Sequence, residues 1–133
     1  MAVAGFAQTG SDTLTGTGMV AVTTTATFSG ATYLVESGSG TTDLQVGATG
    51  TLSAGVLALD GGRKLQNDGT FNWTGGSIAM GDNPLGTTVG GSTIVNSAGA
   101  TFNDNVAGSI TSSLGANQFN NAGTFATNFS GTN

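Results

Sequence analysis

The stretch "LQNDGTFNW", Leu65 to Trp73, decides how the chain is read, because it returns twice in altered form: "VNSAGATFN" from Val95 and "FNNAGTFAT" from Phe119. Each copy runs through an apolar residue, polar turn residues, a glycine, a threonine and a phenylalanine. Self-similarity at a spacing of a few tens of residues is the mark of stacked supersecondary units. Aligning on the Thr–apolar pair extends the series to Thr27-Phe28, Thr51-Leu52, Thr70-Phe71, Thr101-Phe102 and Thr124-Phe125. An apolar residue precedes each pair, at Val20, Leu44, Leu65, Val95 and Phe119. A glycine-led apolar segment follows the first four: "GATYLV" from Gly30, "GVLAL" from Gly55, "GSIAM" from Gly76 and "GSITSSL" from Gly108.

Each unit therefore reads as three short strands joined by turns. No stretch holds apolar residues at helical spacing, and glycine interrupts every few positions. The expected fold is all-β: a parallel β-solenoid of about five coils of roughly 24 residues, each coil burying its inner face on the next. Neighbouring coils at about 4.8 Å give a rod about 24 Å long. An antiparallel β-sandwich is the rival for strands and turns of this spacing. Residues 1–19 are expected to be an irregular segment or cap, and 20–133 to carry the coils, with a long loop at 80–92 rich in turn residues. The stacked arrangement predicts one inward column of Val20, Leu44, Leu65, Val95 and Phe119. It predicts a second of Phe28, Leu52, Phe71, Phe102 and Phe125. Gln66, Asn96 and Asn120 would form an amide ladder. Gly69, Gly99 and Gly123 would sit at a corner that needs positive φ or lacks room for a Cβ. Ala100, one extra residue in its coil, reads as a β-bulge.

Composition narrows the function. The chain has 133 residues, 24 glycines, one proline, two basic and seven acidic residues, no cysteine and no histidine. A net charge of −5 disfavours nucleic acid and anionic membrane surfaces, which call for clusters of Lys and Arg. There is no apolar run long enough for a membrane-spanning helix, so no membrane insertion is expected. Without His or Cys, Ser-His-Asp and Cys-His catalysis and thiolate- or imidazole-ligated zinc are excluded. Paired carboxylates for glycoside cleavage remain conceivable, but Asp60, Asp68, Asp82 and Asp104 do not recur at the coil interval and read as turn residues. "GDN" at Gly81–Asn83 and "NDN" at Asn103–Asn105 are only weak calcium patterns. The glycine-rich pieces lack the spacing of a phosphate loop. No catalytic residue, metal or cofactor is assigned.

The surface feature that stands out is a threonine column. Thr27, Thr51, Thr70, Thr101 and Thr124 each precede an inward residue, so strand alternation turns them outward. Ser29, Ser53, Asn72 and Asn103 face the same way, and Ala126 breaks that second row. Such a face suits ice or a polysaccharide, although stacked β-branched residues also stabilise a sheet on their own account. Trp73 is expected to project outward beside the long loop. Arg63 and Lys64 are expected at a coil edge, where charge discourages unwanted pairing.

Together, the three repeated units resemble the degenerate repeats of large secreted bacterial β-helix proteins, among them autotransporter passengers and filamentous-haemagglutinin-type adhesins. The resemblance covers about residues 20–129 and includes no diagnostic site motif. It implies an extracellular or cell-surface protein and a right-handed, three-sided helix. The leading expectation is a structural subunit that forms fibres by end-to-end stacking or serves as an adhesin scaffold, with other copies of itself as partner. The alternative is a binding module that uses the threonine column on ice or a surface glycan.

Overall fold

Short runs of hydroxyl and apolar residues, cut by glycine, make strands and turns throughout. The computed structural model describes residues 1–129 and contains no helix among them; the end of the expected last coil, 130–133, lies outside the described residues. In chain order the strands are β1 (Ala2–Thr9), β2 (Asp12–Thr15), β3 (Met19–Ser37), β4 (Thr41–Leu44), β5 (Thr49–Leu59), β6 (Arg63–Asn67) and β7 (Thr70–Trp73). They continue as β8 (Ser77–Met80), β9 (Ser92–Asn96), β10 (Thr101–Asp104), β11 (Ile110–Ser112), β12 (Asn117–Asn121) and β13 (Thr124–Thr127). The pairings are parallel, which removes the sandwich, and the chain winds as a β-solenoid of about five turns with a repeat near 23 residues.

Three ladders run the length of the rod. The first joins the start of β3 to β4, β6, β9 and β12. The second joins β1, the middle of β3, the start of β5, β7, β10 and β13. The third joins β2, the end of β3, the end of β5, β8 and β11. Residues 1–19 are thus a coil in their own right, its strands β1 and β2 in parallel register with β3. The long connection runs from Gly81 to Gly91, between β8 and β9.

The inner columns follow from the register and correct three expected alignments. Leu65 lies over Thr42 and under Ile94, with Val20 and Phe119 further along the same column. Val95 faces outward and Ile94 takes the inner place, because Asn96 is buried and alternation then turns Ile94 inward as well. Leu44 belongs to the next column, over Val22 and under Asn67. In that column the amide ladder consists of Asn67, Asn96 and Asn121, one position beyond Gln66 and Asn120. Asn67 Nδ2 donates to Asn96 Oδ1 at 2.8 Å, and Asn96 Nδ2 donates to Asn121 Oδ1 at 2.7 Å. The same amides donate across the corner to the carbonyls of Thr101 and Thr124, both at 2.9 Å. The ladder therefore ties the first side to the second.

On the second side Phe71, Phe102 and Phe125 are in register, with ring centroids 4.8 and 5.4 Å apart and both pairs stacked. Below Phe71 the register partner is Gly50, not Leu52. A Cβ at Gly50 would sit 2.6 Å from a methyl of Leu44 and 3.0 Å from the Phe71 ring. The missing side chain lets Phe71 approach Phe28, two coils away, at 6.1 Å. The series Phe6, Phe28, Phe71, Phe102, Phe125 is then an aromatic spine through the core.

The corner glycines divide into two kinds. Gly99 has φ of 86°, within a turn in which Ala100 N–H bonds the Ser97 carbonyl at 3.0 Å. Ala100 is therefore a turn residue outside any strand, not a bulge, and Gln45–Ala48 makes the same turn. Gly69 and Gly123 lack room instead: a Cβ would meet the Ala48 carbonyl at 2.2 Å and the Ser97 carbonyl at 2.3 Å. A tight corner thus nests on a wide one.

The spine makes a direct prediction. Phe102→Ala removes a buried ring packed against Phe71, Phe119 and Phe125 and should cost about 3–5 kcal/mol in urea unfolding. A loss below about 1 kcal/mol, within the range of ordinary surface substitutions, contradicts the stacked core.

Candidate functional site: the threonine face

The outer surface of the second side carries two ranks of small residues, polar except for Ala126. In the first, Thr25, Thr49, Thr70, Thr101 and Thr124 succeed one another in register. In the second, Thr27, Thr51, Asn72, Asn103 and Ala126 do the same. The five threonines named from sequence therefore share one face but not one rank. Thr70, Thr101 and Thr124 stand together, while Thr27 and Thr51 lie two residues across. Thr25 and Thr49 were missed. The signal for them lies in "TAT" at Thr25–Thr27 and "TGT" at Thr49–Thr51, where either threonine fits a Thr–small or Thr–apolar pair. Ala26 and Gly50, not Phe28 and Leu52, occupy the column of Phe71.

Neighbours along a rank are about 4.8 Å apart, and the ranks about 6.7 Å apart, the span of two strand residues. β-branching restricts χ1, so each threonine presents its methyl and hydroxyl in few orientations. Asn103 Nδ2 donates to Asn72 Oδ1 at 2.8 Å, which fixes the second rank as a ladder at these coils. The outward residues of these strands are Gly, Ala, Ser, Thr and Asn, with no charge and no aromatic ring.

Trp73 does not project outward. Alternation from the inward Phe71 turns Asn72 out and Trp73 in, and Trp73 is buried in the column between Leu52 and Asp104. Its indole N–H donates to the Gly76 carbonyl at 3.2 Å. The Gly108 main chain lies against the ring, where a Cβ would come within 2.3 Å of Cζ2. Trp73 is a core residue.

Arg63 is not an edge residue either. β6 lies between β4 and β9, and the guanidinium points into the rod. Its Nε is 3.1 Å from Glu36 Oε2, an Nη donates to Thr42 Oγ1 at 2.8 Å, and that hydroxyl donates to Glu36 Oε2 at 2.7 Å. Gly40 makes the space, since a Cβ there would lie 2.4 Å from the guanidinium. Lys64, next in the strand, faces outward and is half-buried between Thr41 and Thr93. Asp60 accepts the Val89 and Gly90 amide protons at 2.9 and 2.6 Å and so pins the long loop to the coil below. Asp104 is buried, and one of its oxygens accepts the Val106 N–H at 3.2 Å. Among the described residues no three of His, Cys, Asp and Glu come together as a metal-holding group. Compared with known proteins, the chain matches no family model, no curated protein and no solved structure.

Burial pushes the Glu36 carboxyl above its ordinary pKa, against the opposing pull of Arg63 and Thr42. Burial, then the charge of Asp68, pushes Asp43 up as well, while the Gln45 amide pulls the other way. Over the interval between the ordinary and raised values, the folded chain holds more protons than the unfolded one. Stability contributed by these two groups therefore rises as pH falls through the raised pKa values. The urea midpoint of the parent minus that of Asp43→Asn should increase from neutral to mildly acidic pH; a difference that decreases contradicts the raised pKa. Separately, Arg63→Met leaves Glu36 buried without its cation and should cost about 3–5 kcal/mol, most of it recovered by adding Glu36→Met.

Proposed function

We propose that the protein is an extracellular or cell-surface binding module whose threonine–asparagine face lies flat on an ordered, neutral lattice, and that ice is the lattice it suits best. The observation that carries this reading is the unbroken, in-register rank of Thr25, Thr49, Thr70, Thr101 and Thr124 beside a second rank that is polar except for Ala126. A lattice of water presents donors and acceptors at fixed intervals, and only a surface with its own fixed intervals meets many of them at once. The ladder spacing supplies that regularity, and the solenoid holds it without an ordering cost on binding. Methyls between the hydroxyls favour ordered water over bulk water, and the lack of charge avoids breaking that order.

Polysaccharide is the other lattice in view. Sugar rings are commonly gripped by exposed aromatic faces, and Trp73 is buried, so the threonine face offers none. That favours ice.

Thermal hysteresis and partition into growing ice test the proposal. The parent chain should show both, and Thr70→Lys and Thr101→Lys, at half-buried outward positions, should abolish them while the chain stays folded by urea unfolding. Binding to a neutral glycan array without thermal hysteresis, lost in the same variants, assigns the face to polysaccharide. Absence of both activities leaves the ranks as sheet-stabilising pairs only.

A further inference from the structure

We infer that the C-terminal coil docks on the N-terminal coil of a second copy of this chain, so that copies join head to tail with their inner columns continued across the joint. This rests on the two ends of the rod and is independent of what the threonine face binds.

Both ends carry unpaired ladder edges among the described residues. β11, β12 and β13 each pair on one side only, with β8, β9 and β10; β1 and β2 pair only with β3. Edge strands in soluble proteins are usually guarded by lysine, proline or inward charge. Here residues 105–129 contain no charged residue and no proline. Within residues 1–19 the single charged side chain is Asp12, and it is turned to its own backbone, accepting the Thr9 N–H at 3.2 Å.

Among the described residues, apolar core side chains are also partly exposed at both ends. Phe125 is 38% and Ile110 36% exposed, and with Trp73, Asp104 and Gly108 they line a cavity of about 350 Å³. At the other end Phe6, Gln8, Asp12 and Leu14 line a second of about 170 Å³. Between the two lies the packed core, where Phe28, Leu52, Phe71 and Phe102 are fully buried.

The columns match across the joint. β13 continues the ladder that begins at β1, so a second copy stacked in the same sense sets Gly5 over Thr124, Phe6 over Phe125, Ala7 over Ala126 and Gln8 over Thr127. Phe6 would extend the aromatic spine as Phe125 extends it from Phe102. Parallel pairing, which the solenoid uses within each ladder, is kept only when unlike ends meet; two C-terminal ends face to face would run their strands antiparallel.

The chain contains no cysteine, so Ala7→Cys and Ala126→Cys each introduce a single thiol at an outward position. In the proposed joint their Cα atoms lie about 4.8 Å apart, inside the range a disulfide spans. On mild oxidation of the two proteins mixed in equal amounts, the Ala7→Cys–Ala126→Cys heterodimer should form on the order of tenfold faster than with a Thr87→Cys control on the exposed loop. The double variant should give a ladder of linked oligomers. Heterodimer formation no faster than the control, or Ala126→Cys homodimers as the main product, overturns the inference.

Discussion

A coil of some 23 residues has an apolar inner face and nothing to bury it against except the coil above and the coil below. Every other feature of this protein answers to that constraint. Side chains at equivalent positions must tolerate one another directly, at about 4.8 Å, and few types do so well. Flat rings stack, as Phe71, Phe102 and Phe125 do. Primary amides also do so, since each has both a donor and an acceptor along the stacking direction, as in Asn67, Asn96 and Asn121. Where neither is present, a gap is shared: Gly50 withdraws so that Phe71 and Phe28 meet across it.

The same constraint accounts for the charged group inside the rod. A glycine-rich chain has few bulky residues with which to fill the corner between the third and first sides. Arg63 and Glu36 fill it, with Thr42 hydrogen-bonded to both. Such a pair adds little net stability against an apolar filling, but each partner commits the other to its place, because either one alone would be a buried unpaired charge. The corner is thereby specified as firmly as the aromatic side. Asp60 does similar work outside, fastening the loop that makes one coil longer than its neighbours.

With inner positions fixed by stacking, the outer ones are free to vary, and on the first and third sides they do. On the second side they repeat instead. That regularity follows the inner register automatically, but the choice of threonine over five coils does not, and it is this choice that gives the face its lattice-like character.

The fold was legible because the "NDGTF", "NSAGATF" and "NNAGTF" units pack one kind of information, corner and aromatic, into a few adjacent residues. The register was legible only where one residue could be inward. In "TIVN", Ile94 and Val95 are equally apolar, and the deciding residue is Asn96, whose burial no hydropathy pattern announces. In "TAT" and "TGT" the inward residue is Ala or Gly, so the larger Phe28 and Leu52 drew the alignment two positions along. Alternation from the inward Phe71 turns Trp73 inward, so its expected outward place beside the loop ran against the pattern of its own strand. The Arg63–Glu36 pair left no local trace, since its partners are distant in sequence and meet only through winding.

Solution NMR contacts between side chains of successive coils test the account at its root. In-register parallel stacking predicts nuclear Overhauser contacts from the Asn96 side-chain amide to those of both Asn67 and Asn121, and between the Phe71 and Phe102 rings. Close Hα–Hα contacts typical of antiparallel pairs, with no Phe71–Phe102 contact, would contradict it.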